Sequence, residues 1–200
     1  MSLSQLPYSQ SCENNKDPIL AVLKQSFSQT RQVLEIGSGT GQHAVFFAQH
    51  LPHLTWYPSD QAEYLGPLSE RIALQGGKNI HPPMALDVTA PWPLEQAEID
   101  GIFSANTLHI MSQAMVVDFF KGVDRHLSDK GSLCVYGPFN YDNQYTSESN
   151  RQFDIWLKHR NIHSGIRDIE WITTLANEAG LSLIADHPMP ANNRLLHFSR

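Results

Sequence analysis

Cysteine is scarce: the 200 residues hold two, Cys12 and Cys134, with no Cys-x-x-Cys pair. That is too little sulfur for a disulfide framework or a thiolate metal centre, so reduced thiols are expected. Positive charge is also short. Fourteen Lys and Arg against 20 Asp and Glu give a formal net charge of -6, the wrong sign for a surface that grips phosphate backbones. A nucleic-acid partner is therefore not expected. No apolar run reaches the length of a membrane span, and the opening from Met1 to Lys16 is polar with no cationic start ahead of an apolar stretch. A cytoplasmic protein with no membrane partner is the expectation. His159 and His163 have metal-pair spacing, but Asn161 and Gly165 weaken a helix there and no Glu follows the first His, so no metal site is assigned. Linkers and internal repeats are missing as well, and hydrophobic residues make up an ordinary 41%. Residues 1–200 thus read as one domain.

What is present is an alternation. Asp17 and Pro18 read as a helix start followed by the stripe Ile19, Leu20, Leu23 and Phe27. Val33 to Ile36 reads as a buried strand, and Ala44, Phe47, Ala48 and Leu51 then fall at helical spacing. The unit repeats with a strand from Leu54 that ends near Asp60, and a helix closed by Gly76 and Gly77. Short strands are expected at Met84 to Leu86 and Ile99 to Ala105, then a helix capped by Ser112 with Gly131 after its end, then a strand at Leu133 to Tyr136. A helix after Asn150 carries Phe153, Trp156 and Leu157, and Asp168 opens another before strands at Leu181 to Ala185 and Leu195 to Phe198. Strands alternating with helices demand right-handed crossovers. The expectation is a doubly wound, mostly parallel α/β sheet with helices on both faces, closed by an antiparallel edge pair.

The chemistry concentrates at Val33-Leu34-Glu35-Ile36-Gly37-Ser38-Gly39-Thr40-Gly41-Gln42-His43, where a strand runs through three alternate glycines into a helix. Glycines permit positive φ and let a ligand lie on bare backbone, while the helix start offers free N–H groups. A dinucleotide site would want G-x-G-x-x-G, yet position 42 is Gln. The G-x-G-x-G spacing after an acid resembles the first motif of class I methyltransferases. Asp60 ends the second strand, where a carboxylate can accept both ribose hydroxyls. Asp87 and Val88 end the third, where that superfamily holds adenine. Three acids, Glu35, Asp60 and Asp87, on the carboxyl edge of one sheet read as ligand-binding, because open α/β sheets bind along that edge.

Asn106-Thr107-Leu108-His109 follows the fourth strand without the Pro-Pro-aromatic sequence of nucleobase amino-group methyltransferases, and Cys134 lies in a strand rather than in this loop. A nucleobase target loses support. Asn106 is taken as cofactor-binding and His109 as the candidate base, although alignment alone can supply most of the catalysis of methyl transfer from a sulfonium. Tyr136, Phe139, Asn140 and Tyr141 read equally as acceptor pocket or loop packing. Arg151, Lys158, Arg160 and Arg167 read as a solvated basic face rather than a site for an acidic acceptor.

From end to end the chain resembles the methyltransferase-like 26 family, also called domain of unknown function family 938. The resemblance is carried by Asn15 to Leu20, the glycine motif through His43, Pro58 to Asp60, Leu86 to Val88, Tyr136 to Pro138, Ser149-Asn150 with Phe153-Asp154, Gly165 to Asp168, and Met189 to Asn193. It implies a seven-stranded sheet with the last strand antiparallel and residues 1–30 as an N-terminal lid and helix. Glu35, Gly37, Gly39, Gly41, Asp60, Asp87, Val88 and Asn106 would hold S-adenosylmethionine, with S-adenosylhomocysteine as product and a small-molecule acceptor. Two other readings stay open: a non-catalytic S-adenosyl-binding module, and an NAD-dependent oxidoreductase that Asp60 permits and Gln42 opposes.

Overall fold

A computed structural model describes residues 6–94 and 98–200; the first five residues of the expected lid lie outside it. A seven-stranded sheet has the order β3-β2-β1-β4-β5-β9-β8. Its strands are β1 (Gln32–Ile36), β2 (Thr55–Asp60), β3 (Met84–Ala85), β4 (Ile99–Ala105), β5 (Leu127–Gly137), β8 (Ser182–Met189) and β9 (Asn193–Ser199). A separate pair joins β6 (Phe139–Asn140) to β7 (Arg167–Asp168). The helices are α1 (Gln10–Ser26), α2 (Gln42–His50), α3 (Leu65–Gln75), α4 (Gln113–His126), α5 (Glu148–Arg160) and α6 (Ile169–Glu178).

Neighbours from β3 through β5 are parallel, and β9 runs antiparallel to both β5 and β8. The expected antiparallel edge pair is present as β8 and β9: β9 inserts between β5 and β8, which puts β8 at the edge opposite β3. An eight-residue strand can reach this position because the turn at Ala191 and Asn192, φ 56 and 57, folds β9 straight back along β8.

Side chains alternate across the sheet and build a core on each face. Val33, Phe103, Cys134 and Tyr136 pack with α1 and α2 through Ile19, Leu23, Phe27 and Phe47. Leu34, Ile102, Leu133 and Val135 pack with α4 and α6 through Val116, Phe119, Ile172 and Ala176. Parallel strands covered on both faces need such continuous apolar runs. Among the described residues no helix is long and apolar enough to cross a membrane.

Three boundaries differ from the sequence expectation. The first helix begins at Gln10, not at Asp17, because the Ser9 hydroxyl accepts the Cys12 N–H and caps it, leaving Pro18 inside the helix. Helix α5 begins at Glu148, with Ser147 accepting the Asn150 N–H at 3.1 Å. Strand β5 starts directly at Leu127, and Gly131 lies at a register shift within it rather than at a helix end.

The order reverses between β1 and β4, so the chain leaves them toward opposite sides and opens a crevice beyond their carboxyl ends.

Candidate functional site

At that crevice the glycine turn is held to the next strand. The Gly37 and Ser38 N–H groups donate to the Ser59 carbonyl at 3.0 and 2.9 Å, and the Gly39 N–H donates to Asp60 Oδ2 at 2.6 Å. All three glycines have positive φ, for different reasons. A Cβ on Gly37 would collide with the Thr107 methyl, one on Gly41 would meet Leu68 and Arg71, and one on Gly39 would meet nothing within 4 Å. Gly39 therefore faces open space, while Gly41 starts α2 against α3.

Glu35 lies beneath the turn, 2% exposed, accepting the Trp56 Nε1–H and the Ser38 hydroxyl, each at 2.9 Å. Burial pushes its carboxyl up to about 7 despite those two donors. Asp60 also accepts the Gln61 N–H through Oδ1 at 2.8 Å, and burial raises its carboxyl. Each oxygen keeps a free lone pair. Asp87 is exposed, and its Oδ1 holds the Thr89 N–H and hydroxyl.

The amino-terminal segment is tied over the turn by the residue that breaks the dinucleotide pattern. Gln42 Oε1 accepts the Ser9 N–H at 2.6 Å, and its Nε2 donates to the Ser9 carbonyl and to Glu13 Oε1. Arg71 donates to the Thr40 carbonyl and to the Pro7 carbonyl. His43 Nε2 is 2.7 Å from Asn15 Oδ1, and burial pushes its imidazole down to about 4.

The opposite wall is assembled from distant segments. Asn106 sits at φ 60 with its N–H on the Tyr136 carbonyl. The loop that follows is clamped by Arg167, which donates to the carbonyls of Leu108, Met111 and His163, and by the Ser164 hydroxyl on the Ile110 carbonyl. Asn150 Nδ2 donates to the Asn192 carbonyl at 3.1 Å, drawing the β8–β9 turn against α5. Phe153 and Trp156 stack on α5, ring centroids 5.7 Å apart.

Between the walls lies a cavity of about 960 Å³. Of the residues expected at the site, Gly37, Gly39, Asp60, Val88 and Asn106 line it, and Glu35, Gly41, Asp87 and His109 do not. His109 is 5% exposed, its ring edge-on to Phe153, and burial together with the neighbouring Arg167 pushes its imidazole down to about 4. A group so poorly protonated in the fold is a weak proton acceptor. Among the acceptor-pocket candidates, Tyr136 lines the cavity, Phe139 is core, Asn140 lines a separate cavity of about 670 Å³, and Tyr141 donates to Asp186. The basic group is occupied internally: Arg151 pairs with Glu148, Lys158 with Asp154, Arg160 lies over Trp156, and Arg167 holds the loop carbonyls.

Sequence reasoning missed Asn15, Asn150, Phe153, Trp156 and Asn193 as lining residues. The amides carry no local pattern, and Phe153 and Trp156 read as the apolar face of a helix. Trp156 is nevertheless 49% exposed, which a core position would not be.

The family described as "Protein of unknown function (DUF938)" matches residues 6–200. Among solved structures the chain is similar to an O-methyltransferase family protein from Burkholderia thailandensis, at a TM-score of 0.80 and 16% identity over 92% of this chain and 56% of that one. It is also similar to human N-acetylserotonin methyltransferase in complex with S-adenosylmethionine, at 0.81 and 12% identity over 96% of this chain and 53% of that one. A third is an O-methyltransferase from neocarzinostatin biosynthesis in complex with S-adenosylmethionine and 2-hydroxy-5-methyl naphthoic acid, at 0.77 and 16% identity over 94% and 54%. The chain spans about half the length of these structures, and at such identities the likeness is one of fold.

Proposed function

We propose that this chain, which belongs to the protein family of unknown function DUF938, is an S-adenosylmethionine-dependent methyltransferase of a small molecule. One observation carries the reading: the glycine turn, with Gly39 bare and Asp60 beside it, floors a cavity of about 960 Å³ at the β1–β4 switch point. That volume is at the upper end of roughly 300–1,000 Å³ for ligand sites, room for a cofactor and an acceptor together. The sulfonium of the cofactor supplies the methyl group. Asp60 would accept the ribose hydroxyls through its remaining lone pairs, Gly37 and Gly39 would receive the aminoacyl portion, and Val88 with Leu86, which also line the cavity, would pack on the adenine.

Asn106 and Tyr136 border the transfer point. Glu35 and Gly41 act one step back, shaping the turn, and Asp87 fixes the loop that carries Val88. Residues 1–30 make up the N-terminal lid and helix of a single domain, with the described part of the lid tied at Gln42 and the helix packed into the core through Ile19 and Leu23. Gln42 opposes an NAD site, since its side chain fills the space that a third glycine would leave. A second reading, cofactor binding without turnover, draws on the missing base: His109 lies outside the cavity lining.

Calorimetric titration with S-adenosylmethionine, S-adenosylhomocysteine and NAD tests the proposal. Both S-adenosyl ligands should bind, and Asp60→Asn should weaken them by roughly thirtyfold, the loss of charge-assisted hydrogen bonds. Binding of NAD alone would overturn it.

A further inference from the structure

We infer that the methyl acceptor is a flat, uncharged molecule whose reacting atom is a nitrogen lone pair bearing no proton, a heteroaromatic nitrogen, and that the product leaves as a cation. The inference rests on the functional reading above. It comes from the charges that the cavity holds and those it lacks.

Among the described lining residues there is no Lys or Arg, and Asp60 is the one carboxylate. Asp60 is engaged by the N–H groups of Gly39 and Gln61 at the cofactor end. His43 is held on Asn15 and is hard to protonate. Cys12 and Tyr136 both have their acidities weakened by burial.

An acidic acceptor would enter here with no Lys or Arg among the described lining residues to offset the part of its hydration that it gives up. A phenol or alcohol must lose a proton as it reacts, and no lining group is placed and tuned to take it. A thiol ionises unaided in water, but the surroundings that weaken Cys12 as an acid would do the same to it. A ring nitrogen avoids all three costs. Its lone pair forms the bond to the methyl carbon as the carbon–sulfur bond breaks, and that bonding pair stays on sulfur. One positive charge moves from sulfur to nitrogen, no proton is released, and the charge within the cavity is unchanged.

The wall suits both reactant and product. Ile110, 60% exposed, and Met111 and Met115 give apolar surface, with Met able to adapt to a ring's outline. Tyr64 and Phe153 add aromatic faces, which attract a cation once it forms, while Trp156 also lines the cavity but is stacked on Phe153 and covered by the Arg160 guanidinium. Asn106 offers a neutral donor and acceptor to ring substituents, while the Asn193 amide lines the cavity with its N–H groups on the Pro190 and Ala191 carbonyls.

Four probes of one bicyclic shape separate the cases: isoquinoline, naphthol, naphthalenethiol and naphthoate, each incubated with S-adenosylmethionine and followed by mass. Isoquinoline should be converted to N-methylisoquinolinium at least about tenfold faster than the other three. Independently of turnover, N-methylisoquinolinium should bind the S-adenosylhomocysteine complex about tenfold more tightly than naphthoate, read by quenching of intrinsic fluorescence, as expected for a desolvated cation–aromatic contact. Methylation of naphthol, naphthalenethiol or naphthoate as fast as isoquinoline overturns the inference, and so does equal or tighter binding of naphthoate. Cofactor binding with no turnover of isoquinoline overturns it too, while leaving cofactor recognition standing. Failure to bind either S-adenosyl ligand overturns the functional reading itself.

Discussion

The two walls of the cavity are built in opposite ways. The wall proposed to hold the cofactor comes mostly from one stretch, Glu35 to Asp60, joined by Leu86 and Val88, and backbone N–H groups and carboxylates at strand ends tie that stretch together. The acceptor-side wall gathers Asn106, Asn150, Phe153, Trp156 and Asn193 from three separate segments, held by the carbonyl clamps of Arg167 and Asn150. The first wall is cross-tied locally, Glu35 holding Trp56 and Ser38 from beneath and Asp60 holding the Gly39 N–H. The second is a surface of neutral amides and exposed rings, whose placement depends on elements packing from a distance. A nearly invariant ligand suits the former, and a variable one the latter.

If this contrast is right, removing a buried polar group from the first wall should cost the most. Glu35→Leu leaves the Trp56 Nε1–H and the Ser38 hydroxyl without their acceptor inside the core. Two stranded donors cost about 2–4 kcal/mol of unfolding free energy, read from urea denaturation. Glu35→Gln keeps an acceptor oxygen and should recover most of the loss. A Leu variant as stable as the parent would mean that the turn does not depend on this carboxyl.

The same contrast explains what the sequence could reveal. The sheet, the glycine turn, Asp60 and Val88 were readable because strand-to-helix periodicity and positive-φ glycines are local signals. Glu35 and Asp87 were recognised as important acids, but only packing shows that one supports the turn from beneath and the other braces a loop. Chain position puts His109 in the loop after β4, but its burial off the cavity lining could not be read, since side-chain direction is not written in sequence. Ser9 and Ser147 were missed as helix caps because Asp17-Pro18 and Asn150 offered competing signals nearby. Asn15, Asn150 and Asn193 stood out only as members of stretches shared with the family that the chain resembles, and no periodicity linked them to one cavity.

Each wall also carries one buried histidine, His43 on the first and His109 on the second, both pushed down to about 4. The folded value lies below the ordinary 6.5, so the unfolded chain binds the proton more readily. Stability is complete above 6.5 and is lost as the pH falls toward 4. His109→Phe removes one of these two losses. Between pH 7 and about pH 5 the variant should lose roughly 2 kcal/mol less stability than the parent. Its turnover at pH 7 should stay within about twofold, because the ring lies outside the cavity lining. A collapse of turnover with cofactor affinity intact would return His109 to the role of base.

The smallest effect belongs to the exposed ring of the second wall. Trp156 is 49% exposed, stacked on Phe153 and covered by the Arg160 guanidinium at 4.8 Å. Its truncation to Ala should shift stability by no more than about 0.5 kcal/mol, the usual range for a surface side chain. Affinity for S-adenosylmethionine should not change, since the residues of the glycine turn lie on the other wall. The KM for isoquinoline should rise about tenfold with kcat nearly constant, the signature of a contact made equally in the bound and reacting states. Trp156→Phe, which keeps an aromatic face, should recover most of that affinity. If the Ala variant instead loses cofactor affinity, the walls are coupled through α5 and the division of labour between them fails.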